Sequence, residues 1–370
     1  MSLMGSSVAE LFSAIDKLRA ELLNNVEVLT DCQRVEGEIS HGEILSLIEN
    51  VILGIVTSLS KDEAPFLALP DRSNWANISF DSAIGLRMTL GSSVTTIRSD
   101  CPSSVTKFAQ ILKIFVVIYK LVQSNSYATK RFFVVNSHFE KITKLATSKG
   151  LISGDLCYME EDGTRIDCRS CSAAAAVSSN IAGIRNIVSH AKFIMIVEKD
   201  ATFQRLLDDD FCTKLSPCIM ITGKGVPDVN SRLMVRKLWD TLHIPILALV
   251  DADPHGIEIM CIYKYGSVSM SFEAHSLTVP SVMWLGLLPS DLQRLRVPED
   301  VLIPLTKRDE SKLSSLLKRP YLASQPEWQK EMELMQQSKV KAEIQSLAAI
   351  APDFLTNIYL PNKLRYGGWV

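Results

Sequence analysis

Three carboxylates stand where short apolar runs end. Glu198 follows Phe193-Ile-Met-Ile-Val197, and Asp251 and Asp253 follow the run from Ile244 to Val250. Residues two apart in an extended segment point the same way, so Asp251-Ala-Asp253 can present both carboxylates to one side. Three oxygen ligands of this kind suit a hard divalent cation, Mg2+. Aspartate also opens helices and pairs with lysine, so the competing reading is separate N-caps and a salt bridge. Between the two acidic ends, Cys218-Ile-Met-Ile-Thr222 runs into Gly223-Lys224-Gly225. Backbone N–H groups and one ammonium at that position suit a phosphate held beside a metal. A lone Gly-x-Gly is otherwise only a turn.

The elements that must position these groups follow from periodicity. The apolar runs before Glu198, Gly223 and Asp251 read as buried strands. Residues 201–207, 229–242 and the stretch after Pro254 read as the helices between and after them. Short β runs joined by crossover helices imply a parallel α/β sheet, whose ligands lie outside the carboxyl ends of its strands. Upstream, residues 8–29 and 42–59 carry apolar residues at helical spacing, among them Leu11, Ile15, Leu18, Ile44, Leu47 and Ile48. Residues 61–102 read as an irregular connector with brief strands. A strong amphipathic helix is expected from an N-cap at Ser103 to Gln123. Gly150 to Gly154 and the turn Glu160-Glu-Asp-Gly163 read as a strand and hairpin, and a small-residue linker places a domain boundary near residues 170–190.

A chain of 370 residues with 47% hydrophobic and 22% charged residues can fill two cores and is not a disordered polymer. A net charge of -2 gives no global basic signature. Locally the picture differs: Val105 to Gly150 holds eight cations against Glu140 alone, a net +7 that leaves -9 for the remainder. Such a window suits neutralisation of nucleic-acid phosphates. Eight scattered cysteines suit reduced thiols. Cys168-x-x-Cys171 has no second pair to complete a zinc site and reads as a loop. The longest apolar runs fall short of a bilayer span, so a soluble chain without membrane partners is expected.

The order Glu at a strand end, then Gly-Lys-Gly-x-Pro-Asp, then Asp-x-Asp-Pro-x-Gly resembles a Toprim domain. More closely, Val197-Glu-Lys-Asp-Ala-Thr-Phe, Thr222-Gly-Lys-Gly-Val-Pro-Asp228 and Val250-Asp-Ala-Asp-Pro-His-Gly256 resemble the sporulation-eleven family of meiotic double-strand-break transesterases. That family is related to the A-type component of topoisomerase VI. The likeness continues through Trp284-Leu-Gly-Leu-Leu-Pro-Ser-Asp291, Pro304-Leu-Thr-Lys-Arg308 and Lys341-Ala-Glu-Ile-Gln345. The resemblance implies a mixed α/β chain. Its parts would be an N-terminal helical, partner-docking segment (1–60), the connector (61–102), a winged-helix, CAP-like DNA-binding domain (103–175) and a Toprim domain with its C-terminal extension (190–370). It implies a homodimer acting on double-stranded DNA in the nucleus with a topoisomerase-VI-B-like partner. One protomer's tyrosine would attack a phosphodiester beside the other protomer's carboxylates. By the same resemblance Glu198, Asp251 and Asp253 would hold Mg2+, while Lys130, Arg131 and Lys224 would lie against DNA.

At one place the chain departs from the family. There, Lys-Arg is followed by Asp-Ile-Tyr-Tyr, which contains the nucleophile; here Lys130-Arg131 is followed by Phe132-Phe-Val-Val. Phenylalanine and valine have no group that can attack phosphorus. The likeness resumes at Thr147, leaving 15 residues for what is normally a longer insert. Tyr127 and Tyr119 match tyrosines of the family that are not the nucleophile. The expectation is a splice form or misjoined version of a cleaving enzyme that keeps the metal domain and lacks the attacking group. Its role would be that of a non-catalytic DNA-binding isoform, with a Toprim nuclease using water as the alternative.

Overall fold

Three four-residue runs, Ile-Met-Ile-Val, Ile-Met-Ile-Thr and Ile-Leu-Ala-Leu, are buried along their whole length. Apolar on both faces and rich in β-branched residues, they can only be central strands covered on each side. The structure, a computed structural model, describes residues 11–32, 40–71, 75–82, 85–89, 93–124, 148–169, 174–215 and 217–370. The chain divides into two compact units: Met1–Gln33, Ser79–Arg87 and Thr147–Val370 form one, and Arg34–Ile78 with Met88–Ala146 the other. The first helix, α1 (Ser13–Cys32), therefore belongs to the larger unit, and α2 (His41–Ser60) and α3 (Val105–Gln123) to the smaller.

In the smaller unit, β1 (Phe66–Pro70) pairs antiparallel with β2 (Val94–Arg98), Leu67 opposite Ile97. Those two residues and Phe108 of α3 form a small core, against which Val51, Ile55, Ile111 and Leu112 pack. A capping box opens α2: Ser40 Oγ accepts from the Glu43 N–H, and the Glu43 carboxylate accepts from the Ser40 N–H at 2.7 Å. The start of α3 differs from expectation. Val105 begins the helix and Ser104 holds the cap position, but its hydroxyl donates back to Arg98 O at 2.7 Å instead of accepting from the helix. By length and composition alone α2 could cross a bilayer, a property the separate apolar runs of the sequence did not reveal. Its described contacts, however, include Tyr119 Oη of α3 donating to Glu49 at 2.6 Å. Residues 125–147, with Lys130, Arg131, Tyr127 and the remainder of the expected winged helix, lie outside the described residues.

The larger unit is built on a six-stranded sheet. In chain order its strands are β3 (Leu151–Gly154), β4 (Ala175–Ala176), β5 (Ile194–Val197), β6 (Ile219–Thr222), β7 (Ile246–Leu249) and β8 (Val282–Gly286). Across the sheet the order is β8-β7-β5-β6-β3-β4, with the first four parallel and the last two antiparallel. Helices α4 (Asp200–Asp208), α5 (Val229–Leu242) and α6 (Pro254–Tyr265) leave the ends of β5, β6 and β7. The sheet is thus mixed, and the small-residue stretch near residue 175 is one of its edge strands. The unit boundary falls near residue 147 in place of 170–190. β3 docks because Gly154, at φ +116°, lets the chain approach Cys218: a Cβ there would meet the Cys218 carbonyl oxygen at 2.2 Å. Ile15 and Leu18 of α1 are buried, and Arg19 Nε donates to His243 O at 3.2 Å.

Candidate metal centre

Register decides what shares an edge of the sheet. Val197 lies opposite Thr222 on one side and Leu249 on the other. Glu198, Gly223 and the Val250-Asp251 step therefore emerge from three adjacent strands at one level. The Gly223-Lys224-Gly225 loop is tied to that edge, because the Gly225 N–H donates to Glu198 O at 2.8 Å. Gly225 (φ +88°) and Lys224 (φ +53°) are both left-handed; the glycine adopts that conformation freely and the lysine at a cost. Asp228 caps α5 through the Ser231 N–H at 2.7 Å and also accepts from the Lys149 N–H at 2.7 Å.

Glu198 is 6% exposed and accepts from the Asp251 N–H at 2.8 Å. Burial, reinforced by the negative charges of Asp251 and then Asp253, pushes its carboxyl up to about 8. Asp251 is 1% exposed. Its Oδ1 accepts from the Ile344 N–H at 2.8 Å, and Lys199 Nζ stands 2.7 Å from Oδ2. Burial raises its carboxyl more than the lysine lowers it. Asp253 caps α6, accepting from the Gly256 N–H at 2.6 Å. Lys224 Nζ lies 3.1 Å from Asp200 Oδ2.

The carboxylates are electrostatic neighbours, not a preformed ligand set. Among the described residues, no group of three or more His, Cys, Asp or Glu side chains is gathered to hold an ion. The reason is local: each carboxylate has turned to a donor, so one N-cap (Asp253) and one salt bridge (Asp251 with Lys199) are both present. The donor chemistry nevertheless fits a hard cation. Two nearly buried carboxylates and a third beside them carry more negative charge than Lys199 offsets, as the raised Glu198 carboxyl reports.

Sequence reasoning singled out neither Lys199 nor the segment around Glu343. That segment is fixed by its own chain of contacts. Thr306 and Asp309 form a capping box, Lys341 Nζ lies 2.9 Å from Asp309 Oδ2, and Ala342 and Ala252 exchange backbone hydrogen bonds at 2.9 and 3.1 Å. Lys341-Ala-Glu-Ile is thereby held against the end of β7, where the Ile344 N–H and the Glu343 carboxylate face the site.

Gly256 makes the close approach possible. A Cβ on it would meet Glu198 Oε2 at 2.7 Å and Asp251 O at 2.8 Å. Helix propensity alone would make Gly256→Ala stabilising by about 1 kcal/mol. Overpacking costs about 1–3 kcal/mol. The clash involves backbone, so it is expected to win: thermal melts should show the variant less stable than the parent, and a rise in melting temperature would refute the tight contact.

Residues 193–364 match the Toprim domain that defines Spo11 together with the A-type component of topoisomerase 6. Over 98% of both chains, the sequence is 56% identical to the human "Meiotic recombination protein SPO11". The chain belongs to the family of Spo11 and the A-type topoisomerase VI proteins. Within that family it is 54% identical to the mouse meiotic recombination protein SPO11 over 98% of both chains. It is 33% identical to the A-type component of Arabidopsis thaliana DNA topoisomerase 6, over 87% of this chain and 80% of that one. The human alignment spans 390 positions against 370 residues here, so at least 20 positions of that relative have no counterpart.

Proposed function

We propose that this chain is a DNA-binding, Mg2+-binding member of its family that acts in meiotic recombination in the nucleus but lacks the group that cleaves DNA. The observation that carries the reading is Phe132-Phe-Val-Val directly after Lys130-Arg131, where the family has its tyrosine pair. The positions without counterpart in the human alignment support a shortened segment. Glu198, Asp251 and Asp253 would hold Mg2+. Bound there, the ion would supply positive charge to a phosphate oxygen and orient the backbone. Lys224 would add an ammonium once drawn from Asp200, and Lys130 and Arg131 would contact phosphates from the basic window. None of these groups is an in-line nucleophile, so the site would position DNA without opening it.

Partners follow the same reading: a second copy of the chain and a topoisomerase-VI-B-like protein. Support for the latter is the apolar surface of the smaller unit. Leu47, Leu53, Val56 and Leu59 of α2 and Val116 of α3 are half or more exposed, beside a groove of about 630 Å³. An exposed patch of this kind marks a protein contact. An isoform of this kind would dilute cleaving dimers.

The test is a search for protein-linked DNA. Purified chain, incubated with duplex DNA and Mg2+ and stopped with detergent, is expected to leave no covalent 5′ adduct. An adduct mapped to Tyr127 would overturn the reading. A second reading, a nuclease using water, draws on Glu198, whose carboxyl near 8 suits proton transfer. It requires breaks with free ends, and DNA left intact in Mg2+ removes it.

A further inference from the structure

Lys199 occupies a position where a lysine is out of place. It is the N-cap residue of α4, where side chains that accept hydrogen bonds are preferred and the helix dipole disfavours a cation. Two carboxylates hold it there. Its Nζ lies 2.7 Å from Asp251 Oδ2 and 2.8 Å from Glu343 Oε1. The two partners differ in kind: the Asp251 side chain is 1% exposed, that of Glu343 51%, and Lys199 itself 33%. Asp251 Oδ1 already accepts from the Ile344 N–H. Oδ2 is therefore the oxygen with which Asp251 can meet an added cation, and the ammonium stands on it.

We propose that Lys199 is a built-in counter-ion on Asp251 that a divalent cation must displace, with Glu343 retaining the ammonium as it leaves. The inference rests on the Mg2+ reading given above and extends it to what sets affinity. The lysine lowers the cost of burying Asp251 and, by the same charge, opposes the metal. Glu343 provides a second place for the ammonium, at hydrogen-bond distance and in water, so displacement requires a small side-chain movement and no loss of its ion pair. The contacts from Asp309 through Lys341 to the Ala252–Ala342 bridge fix Glu343 at the correct height.

The experiment is a titration of the full chain with Mn2+ alone, free ion being read by electron paramagnetic resonance. Removing a unit charge a few ångströms from the ligand is expected to tighten binding in Lys199→Met by about tenfold. Lys214→Met makes the same change in net charge at an exposed side chain next to Asn357, and is expected to leave affinity unchanged. Glu343→Gln leaves the ammonium to Asp251 alone and is expected to weaken binding by about threefold. In the Lys199→Met background the Glu343 substitution should have no effect, since Glu343 acts through the lysine. Equal or weaker binding by Lys199→Met, with the parent chain binding Mn2+, overturns the proposal and leaves the metal reading standing. If neither chain binds, both fall. Should Lys199→Met fail to fold, the Glu343→Gln arm decides, and unchanged or tighter binding there overturns the proposal.

Discussion

Replacing residues 132–146 with the tyrosine-bearing segment that follows Lys-Arg in cleaving relatives is expected to turn a silent chain into one that links itself to DNA. The expected change is set by the chemistry of the missing group. Deleting the nucleophile of a covalent enzyme lowers turnover on the order of a millionfold, so reinstating it should raise adducts from background to a detectable band. The assay is detergent-trapped protein–DNA complex, with Mg2+ and the B-like partner present. Glu198→Gln in the restored chain should abolish the signal, tying the new activity to the carboxylates at the end of β5. Adducts that persist in that double variant would show that the carboxylates play no part. No adduct in the restored chain, if it folds and binds DNA, would mean that more than the attacking group is missing.

The parallel heart of the larger unit was legible because its strands announce themselves. Ile194–Val197, Ile219–Thr222 and Ile246–Leu249 are short, apolar on both faces and followed by polar turns, and a sheet leaves few other places for such runs. α5 runs over Val229–Leu242, the bounds its periodicity gives. The antiparallel edge was not legible: Ala175–Ala176 carries no strand signature and pairs only because β3 presents an open edge. In the same way, the burial of Ile15 and Leu18 within the larger unit is a tertiary fact that helical spacing cannot distinguish from a free docking face.

At the site, the three acids were found from strand ends alone, yet the arrangement they adopt was not. Spacing shows that Asp251 and Asp253 can point together; it does not show that the Gly256 N–H claims one and Lys199 the other. Glu343 and Ile344 lie more than 90 residues from Asp251, and no local pattern links them. Their signal was present only as the Lys341-Ala-Glu-Ile-Gln345 likeness, whose physical meaning appears once the segment is seen against the end of β7.

Glu198→Gln is expected to abolish a loss of stability that the parent chain suffers as pH rises. The folded carboxyl sits near 8 against an ordinary value of 4.5, because burial and the neighbouring aspartates oppose its charge. Between those values the folded chain binds the proton more tightly than the unfolded one, so stability falls as pH increases through the window and stays low above it. Glutamine does not titrate and can still accept from the Asp251 N–H. The advantage of the variant should be close to zero at pH 5 and grow to on the order of 3 kcal/mol above pH 8, read as urea midpoints in EDTA. Asp309 acts in a separate window. Although burial raises its carboxyl, Lys341 and Thr306 hold it near 2, so its contribution is present above the ordinary value of 3.8 and lost only as pH falls toward 2. Asp251 shifts in the same direction as Glu198, but it is common to both chains, so the difference between them isolates Glu198. Mg2+ should reverse the ranking at pH 8, because the parent carboxylate gains a counter-charge that glutamine cannot use as well, and binding to the folded state adds stability by mass action. Midpoints of parent and variant that run parallel from pH 5 to 9 would mean that Glu198 is ionised without cost, and the anionic cluster proposed to hold the metal would lose its physical basis.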